Sequence, residues 1–127
     1  MANIPQDLKY TQEHEWARVA GKSVVVGITD HAQTTLGDIV YVELPKLGAQ
    51  VSAGDSFGTV ESVKAVSELF APVSGTIVKV NTDLTEEPEN LNTDPYGDGW
   101  LVEIELSDAG QLSNLLDAAA YEKLTKE

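Results

Sequence analysis

A mainly β domain with short peripheral helices and a helical tail is what this 127-residue sequence predicts. Three observations carry that expectation. Valine-rich runs of alternating apolar residues recur through the first two thirds of the chain, separated by turns that contain glycine. Another run of the same kind, Trp100 to Leu106, returns after a turn-rich stretch. Only the end of the chain has a helical period, with Leu112, Leu115, Leu116 and Ala119 at i, i+3, i+4 and i+7.

Taken in order, His14–Val19 and Ser23–Ile28 flank Ala20-Gly21-Lys22 and predict a hairpin. Asp30 and Gln33 have capping-box spacing, so a short helix is expected from His31 to about Leu36, ended by Gly37. Ile39–Leu44 predicts a strand stopped by Pro45. Residues 48–81 have turns placed about a centre, with Gly54 ten residues before Lys64 and Gly75 eleven after it. Ser56–Ser62 and Ala65–Ala71 should therefore meet at Val63-Lys64, and Pro72 should end the second strand. Thr82–Gly99 is a turn-rich connection. In the strand that follows, Trp100, Val102, Ile104 and Leu106 should face inward. A helical segment over 108–124, capped by Ser107 or Asp108, completes a single domain over residues 1–127.

Composition narrows the function. Eight Lys/Arg against 21 Asp/Glu give a net charge of −13, which argues against nucleic acid and anionic membranes as partners. With no cysteine, disulfides, thiolate metal sites and cysteine nucleophiles are excluded. His14 and His31 have no spacing that suggests a metal centre. No apolar run approaches membrane-spanning length, and Met1 stands only a few residues before the domain, so a cytoplasmic protein is expected. The acids offer no catalytic dyad.

Lys64 is the residue that asks for an explanation. Turn tips favour Gly, Asn, Asp and Pro, yet this tip carries a lysine between Val63 and Ala65. A solvated surface lysine is the ordinary reading. A rigid, symmetric hairpin can also present one amine for acylation, giving a mobile arm on a fixed root.

Glu61-Ser62-Val63-Lys64-Ala65-Val66-Ser67-Glu68-Leu69-Phe70-Ala71-Pro72-Val73-Ser74-Gly75 closely resembles the lipoyl-attachment segment of the glycine cleavage system H protein family. His14-Glu15-Trp16, Gly27 to Gln33, Val42-Glu43-Leu44-Pro45, Asn92 to Tyr96 and Gly99-Trp100 resemble it too, so the likeness runs from about Leu8 to Leu124. It implies a flattened β-barrel or sandwich of two small sheets, like that of biotinyl and lipoyl carriers. The implied role is non-catalytic carriage, with lipoic acid in amide linkage to Lys64. The implied partners are a pyridoxal-phosphate glycine decarboxylase, a tetrahydrofolate-dependent aminomethyltransferase, a dihydrolipoyl dehydrogenase and a lipoate-attaching enzyme. A carrier that meets so many partners is expected to be a monomer.

Rival readings differ at the lysine. Biotinyl carriers have methionine on both sides of it, and lipoyl domains of 2-oxo acid dehydrogenases usually have Asp before it. Here Val63 and Ala65 flank it. An H-like protein relaying lipoyl groups to other complexes, or an interaction module never modified, stays open. Lys9, Lys22, Lys46, Lys79, Lys123 and Lys126 lack the symmetric setting. Glu61 is expected to help present Lys64 to the attaching enzyme, together with the backbone shape at Gly54 and Gly75. The resemblance also implies a cleft that shelters the aminomethyl-loaded arm near His14-Glu15-Trp16. A protonated amine cannot expel the thiolate, so a carboxylate there would preserve the load; Glu15 is the candidate, then Glu68.

Overall fold

The structure is a computed structural model that describes residues 4–125. Met1 and Lys126 lie outside the described residues. Nine strands are present among those described: β1 (Lys9–Tyr10), β2 (Glu15–Ala20), β3 (Ser23–Ile28), β4 (Ile39–Glu43), β5 (Gln50–Val51), β6 (Ser56–Ser62), β7 (Val66–Phe70), β8 (Gly75–Val80) and β9 (Val102–Leu106). The helices are α1 (Asp30–Leu36), α2 (Asn90–Thr93) and α3 (Ala118–Thr125), with 3-10 segments at Thr82–Thr85 and Ala109–Asn114. No helix among the described residues is long and apolar enough to cross a membrane.

The strands form two antiparallel sheets. One has six strands in the order β1-β2-β3-β9-β8-β5, and the other three in the order β4-β6-β7. Alternation decides what lies between them. Val24, Val26, Ile77, Val102 and Ile104 face inward from the larger sheet, and Val42, Val60 and Leu69 from the smaller. Each such side chain stabilises the fold by about 1.5–3 kcal/mol when fully withdrawn from water. A second buried cluster, of Leu8, Tyr10, Trp16, Ala118 and Tyr121, packs the tail against β1 and β2.

The symmetry about Lys64 is a hairpin nested in a hairpin. β6 pairs with β7 beside the lysine, while β5 pairs with β8 in the other sheet. The two glycines expected to shape the lysine's turn lie elsewhere. Gly54, at φ +91, turns the chain between β5 and β6. Gly75 opens β8, where an added Cβ would overlap the Glu105 carbonyl.

Other boundaries depart from the sequence reading for identifiable reasons. Thr29, rather than Asp30, caps α1: its hydroxyl accepts from Ala32 N at 3.1 Å, and Gln33 donates to Asp30 Oδ1 within the first turn. The connection after β8 contains the first 3-10 segment and α2. Leu101 is buried and Trp100 half-buried, the reverse of the expected order. The tail over 108–124 is two short helices. Leu115 turns extended (φ −86, ψ 155), and Leu116 exchanges backbone hydrogen bonds with Tyr10. Pairing with β1 outcompetes the helical period, and α3 restarts with Ala120 N donating to Asp117 Oδ1. Ala119 is exposed, and Ala118 is the buried residue.

Candidate functional site: the Lys64 hairpin and the Glu15 corner

The tip that carries Lys64 is held by its own short contacts. Ser62 N donates to Ala65 O at 2.8 Å, and the Ser62 hydroxyl accepts from Lys64 N and Ala65 N. Val63 N donates to Asp38 O at 3.0 Å, tying the tip to the loop between α1 and β4. The lysine stem runs over Gly37 in that loop, where a Cβ would sit 3.5 Å from Lys64 Cε. Asn92, from α2, fixes the loop in turn. Its amide nitrogen donates to Gly37 O and Gln33 Oε1, and its Oδ1 accepts from Ile39 N at 2.8 Å. Lys64 itself is exposed. An exposed primary amine on a pinned two-residue tip has the chemistry and access that an amide-linked arm requires.

Around the lysine the outer face of the small sheet mixes apolar groups with acids. Tyr41, Glu61 and Val66 stand in one register row, and Glu43, Thr59 and Glu68 in the next. A bulge between Ile39 and Tyr41 turns both Val40 and Tyr41 to solvent, where regular alternation would bury one. Val40, Tyr41, Val63 and Val66 are 54, 48, 68 and 66 % exposed. Glu61 and Glu68 are thus on this outer face, away from the sandwich interior.

Glu15 is in a different setting, only 2 % exposed. Its Oε1 accepts from the Thr11 hydroxyl at 2.7 Å, and its Oε2 accepts from Phe70 N at 3.2 Å, at the far end of β7 from Lys64. Burial pushes its carboxyl up from 4.5 to about 7, against the opposing pull of those two hydrogen bonds. Although it opens β2, this acid is withdrawn from water. The structure joins it to the lysine through α1, whose C-terminal end meets Lys64 at Gly37 and whose N-terminal end meets His14 at Thr29. Seven helical residues span about 10 Å, and lysine with an eight-carbon acyl chain reaches on the order of 14 Å. α1 therefore connects the Lys64 tip to the Glu15 loop over a length comparable to that of such an arm.

Four residues that brace this corner and the Lys64 tip were not singled out by the sequence reading, although Thr29 and Asn92 lie in segments that carry the resemblance. Thr11 supports the Glu15 loop, and Thr29 and Tyr121 brace it from α1 and α3. Tyr121 OH lies 2.7 Å from Thr29 Oγ1 and 2.8 Å from His14 Nδ1, a contact spanning 107 positions. Asn92 braces the loop beneath the Lys64 tip. His14 has a left-handed backbone (φ +68), which costs a non-glycine residue on the order of 1 kcal/mol, and its ring packs against His31 at 4.7 Å. Burial, then His31, lowers the His14 pKa. A surface concavity of about 450 Å³ lies elsewhere, lined by Gln50, Ser74, Thr76 and Ser107 among others.

Comparison with known proteins bears on this arrangement. The family model described as glycine cleavage H-protein matches residues 8–127. The glycine cleavage system H protein of Myxococcus xanthus is 64% identical over 122 residues, 96% of this chain and 95% of that one. That of Symbiobacterium thermophilum is 57% identical over 127 residues, 100% of this chain and 99% of its own. The crystal structure of a glycine cleavage system H protein from Mycobacterium marinum superposes with a TM-score of 0.90 at 45% identity, covering 98% of this chain and all of that one.

Proposed function

Because the chain belongs to the glycine cleavage H-protein family, whose members are non-catalytic lipoyl carriers, we propose that Lys64 is its single point of lipoyl attachment. The observation that supports this most directly is the exposed Lys64 amine on a tip fixed from two sides, by Ser62 within the hairpin and by Asp38 beneath it. Rigidity matters because a mobile root would enlarge the volume the arm searches and dilute it at each partner. When bound, lipoate supplies a dithiolane that takes up and hands on the aminomethyl group. The chain's own residues do the rest. Gly37, at φ +81, makes the turn over which the lysine stem runs, and Asn92 keeps that loop in place.

Glu15 is assigned to the ammonium of the loaded arm, since its carboxylate sits at the end of the path along α1 and has unused lone pairs. A carboxylate there favours the protonated amine. Glu68, on the outer face beside Thr59, is the secondary candidate. Glu61, between Tyr41 and Val66, belongs to the surface the attaching enzyme must cover, because an unmodified lysine stem is too short to be reached from farther away. The partners are the decarboxylase, the aminomethyltransferase, the dihydrolipoyl dehydrogenase and the lipoate-attaching enzyme. The chain acts in the cytoplasm as a monomer.

Intact-mass and peptide-mapping measurements after expression with lipoate test the attachment. Wild type should gain one lipoyl amide, mapped to Lys64. Lys64→Arg should gain none and remain folded. A lipoyl group on any other lysine would overturn the assignment.

A further inference from the structure

The loop from Thr11 to Glu15 is a closed unit built on one hydroxyl. Thr11 Oγ1 accepts from Glu13 N and Glu15 N at 3.2 and 3.1 Å and donates to Glu15 Oε1. Thr11 N donates to Glu15 O, and His14 N donates to Thr11 O. That closure needs the left-handed turn at His14, which immediately precedes the carboxylate's own residue. His14 is braced from three directions. Its carbonyl accepts from Thr29 N at 3.1 Å, its ring packs on His31, and its Nδ1 meets the Tyr121 hydroxyl.

The third brace is the one that comes from far away in the chain. Tyr121 is fully buried, and its ring stacks on Tyr10 at 4.6 Å with the planes 9° apart. Stacking fixes the ring; the hydroxyl is then divided between Thr29 Oγ1 and His14 Nδ1. Since Thr29 Oγ1 also accepts from Ala32 N, the chain of contacts runs from the start of α1 through Tyr121 to His14. Either His14 tautomer can be satisfied, because the tyrosine hydroxyl donates to one neighbour and accepts from the other in both cases. The hydrogen bonds therefore hold His14 in place without requiring it to be charged.

We propose that Tyr121 is the positioning residue of the Glu15 corner: its hydroxyl, set by Thr29, fixes left-handed His14 and so aims the Glu15 carboxylate at the loaded arm. The C-terminal helix is thereby part of the arm's site although it touches neither Lys64 nor Glu15 by a hydrogen bond. This rests on the assignment of Glu15 given above. The groups facing that carboxylate are Thr11 and Glu13 from its own loop, the Phe70 amide of β7, and Tyr121 from α3; His31 packs on His14.

The test reads Glu15 itself in the unloaded full-length chain, by following its carboxyl carbon through a pH titration by NMR. Tyr121→Phe keeps the stack on Tyr10 and removes only the hydroxyl. His14→Phe keeps a ring against His31 and breaks the same contact from the other side. Each should lower the Glu15 midpoint by about one pH unit as the loop loosens and water enters. The double variant should lower it no further. Tyr10→Phe is the control: it removes a neighbouring tyrosine hydroxyl, bonded to Pro5 O, without touching His14, and should leave the midpoint in place. Should Tyr121→Phe be unfolded at the assay temperature, His14→Phe carries the comparison. An unmoved midpoint in the variants that fold, or an equal shift in Tyr10→Phe, overturns the proposal. If the midpoint moves as stated while Glu15→Gln holds its load as long as wild type, the positioning role stands and the assignment of Glu15 to the load falls.

Discussion

Glu15, the first residue of β2, is a buried acid. Its folded pKa, about 7, lies above its ordinary 4.5, so between these values the folded chain keeps a proton the unfolded chain has released. That contribution to stability is complete below about pH 4.5 and is lost as pH rises through 7, a change on the order of 3 kcal/mol. Glutamine at position 15 cannot ionise. Relative to Glu15→Gln, wild type should therefore lose melting temperature as pH rises from 5 to 8, so that the variant passes above wild type at the alkaline end. Parallel melting curves for the two proteins across that range would show that Glu15 is already ionised in the fold. The proposed loading would change the balance, because an ammonium beside Glu15 would favour the carboxylate and recover part of the desolvation cost. With the load in place, Glu15→Gln should lose it up to about tenfold faster near neutral pH, in the absence of the transferase. Equal decay rates would leave the acid with a structural role alone. The residue's identity was legible in the sequence, but its burial was not. Its position at a strand end reads as solvated, and only the Thr11 loop and the edge of β7 withdraw it from water.

At the level of elements, the strands were read from period-2 alternation, which local sequence carries, and most of their limits agree within a residue or two. What local sequence could not show was competition at a distance. Leu112, Leu115 and Leu116 have helical spacing, yet Tyr10 captures the backbone of Leu116 and the helix breaks there. Thr29 outcompetes Asp30 as the cap because its backbone is extended, while Asp30 has already entered the helix. The brace supplied by α2 was equally hidden, since Asn92 lies in a stretch that reads only as turns. Its side chain makes three hydrogen bonds to the segment from Gln33 to Ile39, on which the lysine tip rests. Asn92→Ala leaves the Ile39 amide and the Gly37 carbonyl without that partner, a loss of about 2–4 kcal/mol. Urea unfolding should show that loss. Hydrogen exchange should show it localised, with the Val63 amide, bonded to Asp38 O, exchanging faster than the amides of β3. A uniform rise across both sheets would mean that Asn92 supports the fold in general and not the root of the arm.

For the molecule as a whole, the net charge of −13 matters less than its division between two faces. Lys9, Arg18 and Lys79 stand in strands of the six-stranded sheet, beside Glu15, Glu103 and Glu105, and Lys79 approaches Glu103 at 3.9 Å. The three-stranded sheet carries Glu43, Glu61 and Glu68 and no cation within its strands. The one cation at its tip, Lys64, would lose its charge on the proposed acylation. A partner with a basic rim is therefore drawn toward the small sheet, and the four exposed apolar side chains there supply short-range contact once it arrives. Charge placement of this kind acts on encounter and orientation and is weakened by salt, which suits a carrier that must leave each partner after delivery. Two pairs of charge reversals separate position from total charge. Glu43→Lys with Glu68→Lys, and Glu105→Lys with Glu122→Lys, change the net charge by the same amount on different surfaces. At low ionic strength the first pair should lower kcat/KM of the lipoate-attaching enzyme, with this protein as substrate, by about tenfold. The second pair should lower it far less, and at high salt the two should converge on wild type. Equal losses for both pairs would mean that net charge alone governs encounter and that the small sheet has no special claim on the partner.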